Sequence, residues 1–240
     1  LAHYTIGTYV EPIISILRNS LSDALLPEMA DSGRRHADPL ALWRRTTVVS
    51  AVLLLPAGIL LHRFAEPLVT TLFSNEYLPA ALVLQIYVLV LVRECFDFGV
   101  VLRAINRTTP IVTSNVAAFV ANLLLLLVLV PMAGLAGAVI AFVISRFVDG
   151  LYLTMRTMQL CGVGLRELAC WNDLARVALA SVIAAVPLYA FDWIHFMGIV
   201  GVIPGVLAFA ATFAVSLCAL RLPEAIRVFR RLRQPMGARP

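Results

Sequence analysis

Residues 110–130, PIVTSNVAAFVANLLLLLVLV, carry no charged side chain from end to end. A run of this length and apolarity crosses the hydrocarbon core of a bilayer as a helix, because only helices and closed barrels satisfy their own backbone there. Working outward, six further apolar stretches fall near residues 4–25, 47–61, 80–103, 134–157, 174–191 and 198–220. The pattern predicts an all-α membrane protein, a polytopic bundle of about seven transmembrane helices. Composition agrees: 61% of the residues are hydrophobic and only 14% are charged. A mean hydropathy of +0.91 is more than a water-soluble core of this length needs.

The connections between these stretches differ in charge. The chain has no lysine; its 19 basic residues are all arginine, against 14 acidic ones, for a net charge of +5. The first connection, 27–46, carries Arg34, Arg35, Arg44 and Arg45, whereas the second, 62–79, sets Arg63 against Glu66 and Glu76. Arg103 and Arg107 edge the third, and the fourth, 131–133, is uncharged. The fifth brings Arg156, Arg166 and Arg176, the sixth has no arginine, and the tail beyond residue 220 holds Arg221, Arg227, Arg230, Arg231, Arg233 and Arg239. Arginine-rich connections stay in the cytoplasm, so the amino terminus is expected outside and the carboxyl terminus inside. The positive excess reads as topology and contact with anionic membrane lipid, not as a nucleic-acid site, since no aromatic residues interleave with the arginines.

Other signals are weaker. Cys95, Cys161, Cys170 and Cys218 lack C-x-x-C spacing and His3, His36, His62 and His195 are scattered, so no metal site, disulfide framework or cofactor is expected. No nucleophile, base and orienting group occur at recognisable spacing, and no enzymatic activity is expected. There is no secretory signal, and Leu1 already lies at the edge of an apolar stretch, so the chain reads as the carboxyl-terminal part of something longer. Asp38 and Pro39 form a cap and first-turn pair for a helix running on into the second span, with Trp43 as an interfacial anchor. Pro56 predicts a kink or break inside that span and Pro67 an interruption beyond it. Trp171 and Trp193 fall where an aromatic belt would lie. Gly134, Ala138, Ala141 and Ser145 form a small-residue stripe suited to close helix packing. The G-x-G at 162–164 reads as a loop, and the sequon at Asn106 as accidental on a cytoplasmic side.

Polar residues within the apolar stretches carry the functional information. Tyr4, Thr8, Glu11, Ser15, Arg18 and Ser22 recur at steps of four and three, drawing one stripe down the first span. Ser145, Asp149, Tyr152 and Arg156 draw another, with Arg146 beside it. Gln85, Arg93, Glu94 and Asp97 share a sector of the third span, and Asn115 and Asn122 lie seven residues apart in the fourth. A central arginine costs roughly 2.5–3.5 kcal/mol on insertion scales, so Arg18, Arg93 and Arg146 must face protein or water. Two readings stay open. In the first, local pairs neutralise the charges: Arg93 with Asp97, Arg146 with Asp149, and Arg18 with Glu11 or Asp23. In the second, the stripes converge on a hydrated cavity that binds a charged substrate.

The succession YTIGTYVEPI (4–13), LLPEMADSGRR (25–35), LLLPAGILL (53–61), LVTTLFSNEYLPAALVLQI (68–86), LRAINRTTP (102–110) and VPMAGLAGAVIAFVIS (130–145) resembles the second half of polysaccharide flippases. These belong to the multidrug, oligosaccharidyl-lipid and polysaccharide exporter superfamily. The resemblance covers roughly residues 1–160; the rest matches only as two further spans and a basic tail. It implies a division into second-lobe flippase helices (1–157), two additional spans (158–220) and a basic cytoplasmic tail (221–240).

The resemblance further implies a multi-pass protein of the bacterial cytoplasmic membrane that moves a polyprenyl-diphosphate-linked oligosaccharide by alternating access of two lobes. It would partner with a missing amino-terminal lobe or with itself. Guanidinium groups suit a diphosphate, because they stay ionised and donate paired hydrogen bonds. On the stripe argument Arg18, Arg93 and Arg146 are the candidate substrate contacts. Glu94 and Asp97 are candidate ion-coupling carboxylates, and Glu11, Ser15, Asn115, Asn122 and Asp149 candidate cavity residues. The alternatives are a cation-coupled exporter of drugs or peptidoglycan precursors within the same superfamily, and a non-transporting scaffold of an envelope polysaccharide assembly complex.

Overall fold

The computed structural model describes residues 2–12, 14–16, 18–20, 23, 39–190 and 202–220, and the described residues fold into helices joined by short turns. Of the first expected span, a short helix α1 (Ala2–Gly7) and isolated helical residues are described. Helix α2 (Pro39–Arg63) starts at the expected proline and carries the second span; Asp38, its expected cap, lies outside the described residues. It runs through Pro56 without the break that the sequence allows there. Within a membrane bundle, neighbouring groups and small local adjustments absorb a proline. The helix is interrupted at Phe64, and Pro67 follows in the first turn of α3 (Ala65–Leu72), where its missing N–H had no intrahelical partner to lose.

The third span is the centre of the bundle and is broken. A 3-10 turn (Asn75–Tyr77) leads into α4 (Leu78–Tyr87), then α5 (Val90–Glu94) and α6 (Phe98–Ala104). This 30-residue stretch is the most enclosed of the candidate spans, with 61% of its apolar centre buried. Around α5 the backbone tightens to three-residue hydrogen bonds, Leu91 to Val88, Val92 to Leu89 and Phe96 to Arg93. Such local 3-10 winding inside a helix marks strain or a hinge.

Helix α7 (Thr109–Cys161) is one continuous run of helix in sequence but two spans in space. A straight helix would separate residues 113 and 152 by roughly 58 Å at about 1.5 Å per residue. Instead the Thr113 and Tyr152 hydroxyls are 2.8 Å apart, so the chain folds back on itself. The reversal is at Pro131–Gly134, where Gly134 takes φ 54° and ψ −125°, a conformation that a side chain would strain. This is the uncharged fourth connection expected between the fourth and fifth spans. The close approach is made by Gly137, which the small-residue stripe omitted: a Cβ there would sit 2.0 Å from the Leu129 carbonyl oxygen. Only 11% of the apolar centre of α7 is buried, so most of it is available to lipid.

A short α8 (Leu165–Leu168) follows, with Gly162 and Gly164 in the loop as expected, then α9 (Trp171–Ala190) and α10 (Val202–Ala219). The main core joins α2, α4 to α6, the second leg of α7 and the start of α9; a smaller cluster of Phe64, Ala184, Leu188 and Phe209 binds α9 and α10 to the end of α2. Trp171, 42% exposed, fits the expected belt, whereas Trp193 lies outside the described residues. Trp43 is no interfacial anchor. It is 1% exposed, stacks on Phe98 at 4.7 Å, and its indole N–H donates to the Asp97 carbonyl at 2.8 Å. That carbonyl lies where the third span breaks, and a break inside a membrane needs such a donor.

Candidate functional site

Three arginines from three separate stretches meet at one carboxylate. Glu94 ends α5, so its side chain leaves the most enclosed span at the point where the helix stops. Arg18 of the first stretch donates to its Oε2 at 2.5 Å, and Arg146 of the second leg of α7 donates to Oε1 at 2.6 Å. Arg93, its chain neighbour, lies 3.5 Å from Oε1 and also donates to Asp149 on the second leg of α7. Three guanidiniums thus face two carboxylates, leaving the group one positive charge in excess. Glu11 of the first stretch is half-buried.

The three arginines differ in access. Arg93 is 8% exposed, with Glu94 at 6% and Asp149 at 3%, while Arg18 and Arg146 remain 24% and 26% exposed. Arg93 lies against Gly150: a Cβ at that position would stand 3.2 Å from its Cγ and 3.4 Å from its Nε. Sequence reasoning missed Gly150, and its position next to an intramembrane aspartate was the available signal. The Nε atoms of Arg18 and Arg93 and one Asp149 oxygen are buried without a hydrogen-bond partner. Desolvated donors and acceptors of this kind are costly to leave unmatched.

The convergence expected of Arg18, Arg93 and Arg146 is present, but their partners are not the expected local ones. The i+4 pairing of Arg93 with Asp97 gives way to Asp149 and Glu94, because the chain leaves the helix at Cys95 and turns Asp97 into the cap of α6. There it accepts the Gly99 N–H at 2.9 Å, with Arg103 4.0 Å away. Asp97 thus caps α6, while Glu94 ends α5. Arg146 takes Glu94 in place of Asp149, and Asp23 lies 3.9 Å from Arg103, not beside Arg18. Asn115 is exposed on the first leg of α7, and Asn122 is half-buried with its carbonyl oxygen unpartnered. Among the described residues, no hydrogen bond or ion pair joins Asn115, Asn122 or the half-buried Ser15 to the cluster. A cavity of about 230 Å³ touches Arg93, but its other walls include Phe96, Phe98, Phe147, Leu151 and Trp171, and neither Arg18 nor Arg146 reaches it. The arginines meet on the Glu94 carboxylate.

No protein-family profile and no curated protein sequence matches the chain. Among solved structures it is similar to that of lipid II flippase MurJ in an inward closed conformation. The match covers 91% of this chain and 47% of that one, with a TM-score of 0.75 and 15% sequence identity. The chain therefore spans about half the length of the MurJ chain, and at this identity the likeness is one of fold. Its described residues have a polytopic, all-helical membrane fold like that of this MurJ structure.

Proposed function

We propose that the chain forms one lobe, with two further spans, of a bacterial inner-membrane flippase that moves a polyprenyl-diphosphate-linked oligosaccharide by alternating access. The observation that carries this reading is the meeting of Arg18, Arg93 and Arg146 on Glu94 inside the bundle. Intramembrane ionisable groups are expensive, and when gathered at a broken helix they commonly mark a substrate or ion path. Guanidinium groups match the oxygens of a diphosphate in geometry and keep their charge at any physiological pH. In this reading Arg18 and Arg146 contact the headgroup, Arg93 and Asp149 hold the frame, and Glu94 is the carboxylate through which an ion could be coupled.

A second reading, a carrier of a lipid-linked peptidoglycan precursor, is favoured by the likeness to a lipid II flippase. Both readings place an anionic lipid headgroup at the arginines. The test is transport by the complete transporter in reconstituted vesicles, with each class of lipid-linked saccharide supplied separately. Arg18→Ala and Arg146→Ala should reduce transport more than the corresponding lysine variants, which keep charge but lose the planar fork. Full transport by all three alanine variants, including Arg93→Ala, at normal membrane abundance would discard the proposal.

A further inference from the structure

We propose that Glu94 is a resident anion, occupying the place that a substrate's phosphate takes, and that binding proceeds by exchange of Arg18 and Arg146 from Glu94 to the phosphate. The inference rests on the diphosphate reading above and adds how the site is kept when empty.

Each of the two outer guanidiniums is spent on a different oxygen of the same carboxylate, at 2.5 Å for Arg18 and 2.6 Å for Arg146. Both are about a quarter exposed, so an incoming anion can reach them, while Glu94 itself is nearly inaccessible. Two arginines, one from the first stretch and one from α7, would repel each other if brought together bare. The carboxylate between them supplies the charge that holds them in place before any ligand arrives.

An anion that takes both guanidiniums must leave Glu94 with a partner, since an unpaired charge in this environment is strongly unfavourable. Arg93 fills that role. It already lies 3.5 Å from Glu94, it is fixed from the far side by Asp149 and by close contact with Gly150, and its exposure of 8% keeps it from the ligand. The cluster therefore divides into two exchangeable arginines and one retained one. Glu94 competes with the ligand and does not bind it.

The test uses the full chain in detergent and inorganic pyrophosphate as the probe, at constant ionic strength. Glu94→Ala removes the resident anion and leaves space for another. It should unfold at a lower temperature than wild type in plain buffer and be restored by pyrophosphate, with half-restoration at about one tenth of the concentration that stabilises wild type. That factor is about what one charged hydrogen bond is worth, and so the least expected when both competing ones are lost. Adding Arg18→Ala or Arg146→Ala to it should abolish the rescue. If Glu94→Ala gives no cooperative unfolding, calorimetric titration of Glu94→Gln, which keeps the shape, should give about tenfold tighter pyrophosphate binding than wild type. Binding that depends on Arg18 and Arg146 but is no tighter without the Glu94 charge overturns the exchange and leaves the diphosphate reading standing. Rescue or binding that survives loss of both arginines overturns the exchange as well. Pyrophosphate binding by no variant overturns both the exchange and the diphosphate reading.

Discussion

Asp149 is 3% exposed and holds Arg93 across the interface between α5 and the second leg of α7. Removing Asp149 leaves Arg93 with only the longer contact of 3.5 Å to Glu94, and that under-compensated charge, more than the lost attraction, sets the penalty. Asp149→Ala should lower stability by about 3–5 kcal/mol. Asp149→Ala combined with Arg93→Met should be more stable than Asp149→Ala alone, because the stranded guanidinium is gone. Reversible unfolding in mixed detergent measures both, and a double variant less stable than the single one would mean that the pair is not what holds these helices. Gly150→Val should act on the same contact from the other side, pushing Arg93 away by filling the space against its Cγ. At this scale the sequence is half legible. The energetic penalty of intramembrane charge singles out Arg18, Arg93 and Arg146 as residues that must face protein or water, and the polar stripes add Glu94 and Asp149 as candidates. Their partners were hidden, because i+3 and i+4 spacing holds only along an unbroken helix, and the third span stops at Cys95.

Breaks and reversals decide what the helices can do, and prolines alone did not reveal them. Pro56 leaves α2 continuous and Pro67 falls in a first turn, whereas the third span breaks at Phe96–Asp97, where the sequence has no proline. That break is stabilised from outside the segment, by the Trp43 indole on the Asp97 carbonyl, so it could not be read from local residues. Trp43→Phe keeps the stack on Phe98 but withdraws the donor, and should lower stability by about 1–3 kcal/mol as a buried carbonyl goes unpaired. The hairpin in α7 was more legible, since Pro131 and Gly134 bracket an uncharged gap between two apolar runs. Gly134 holds a conformation that strains any side chain, although a Cβ there would meet no neighbour within 4 Å. Gly134→Ala should therefore be destabilised through backbone strain alone, by about 1–3 kcal/mol. Gly164→Ala is the control, with an ordinary φ of −77° and equally open space. Equal melting temperatures for the two variants would exclude strain at the reversal.

The fold-back in α7 also sets the parity of the whole chain. Because the two legs run in opposite directions, the start and the end of α7 lie at the same end of the hairpin. In a cysteine-free background, Glu76→Cys should react with an impermeant thiol reagent from outside and Arg166→Cys only after permeabilisation; both positions are exposed. The reverse labelling would invert the orientation taken from the arginine count. The larger question is what the exposed arginines face. A flippase of this architecture needs two bodies moving about a shared site, and the chain corresponds to 47% of the MurJ chain it resembles. Arg18 and Arg146 keep about a quarter of their surface open. Charged groups left toward lipid are unfavourable, so that surface calls for another protein lobe or for water between lobes. The 240-residue chain by itself should accordingly insert into membranes yet fail to flip lipid-linked saccharide, and should self-associate or gain abundance when co-expressed with a complementary amino-terminal lobe. The decisive measurement is flipping by the purified chain in liposomes, with its mass in the membrane determined in parallel. Robust flipping by a monomer would overturn the one-lobe reading, and flipping only by a dimer would identify a second copy as the missing lobe.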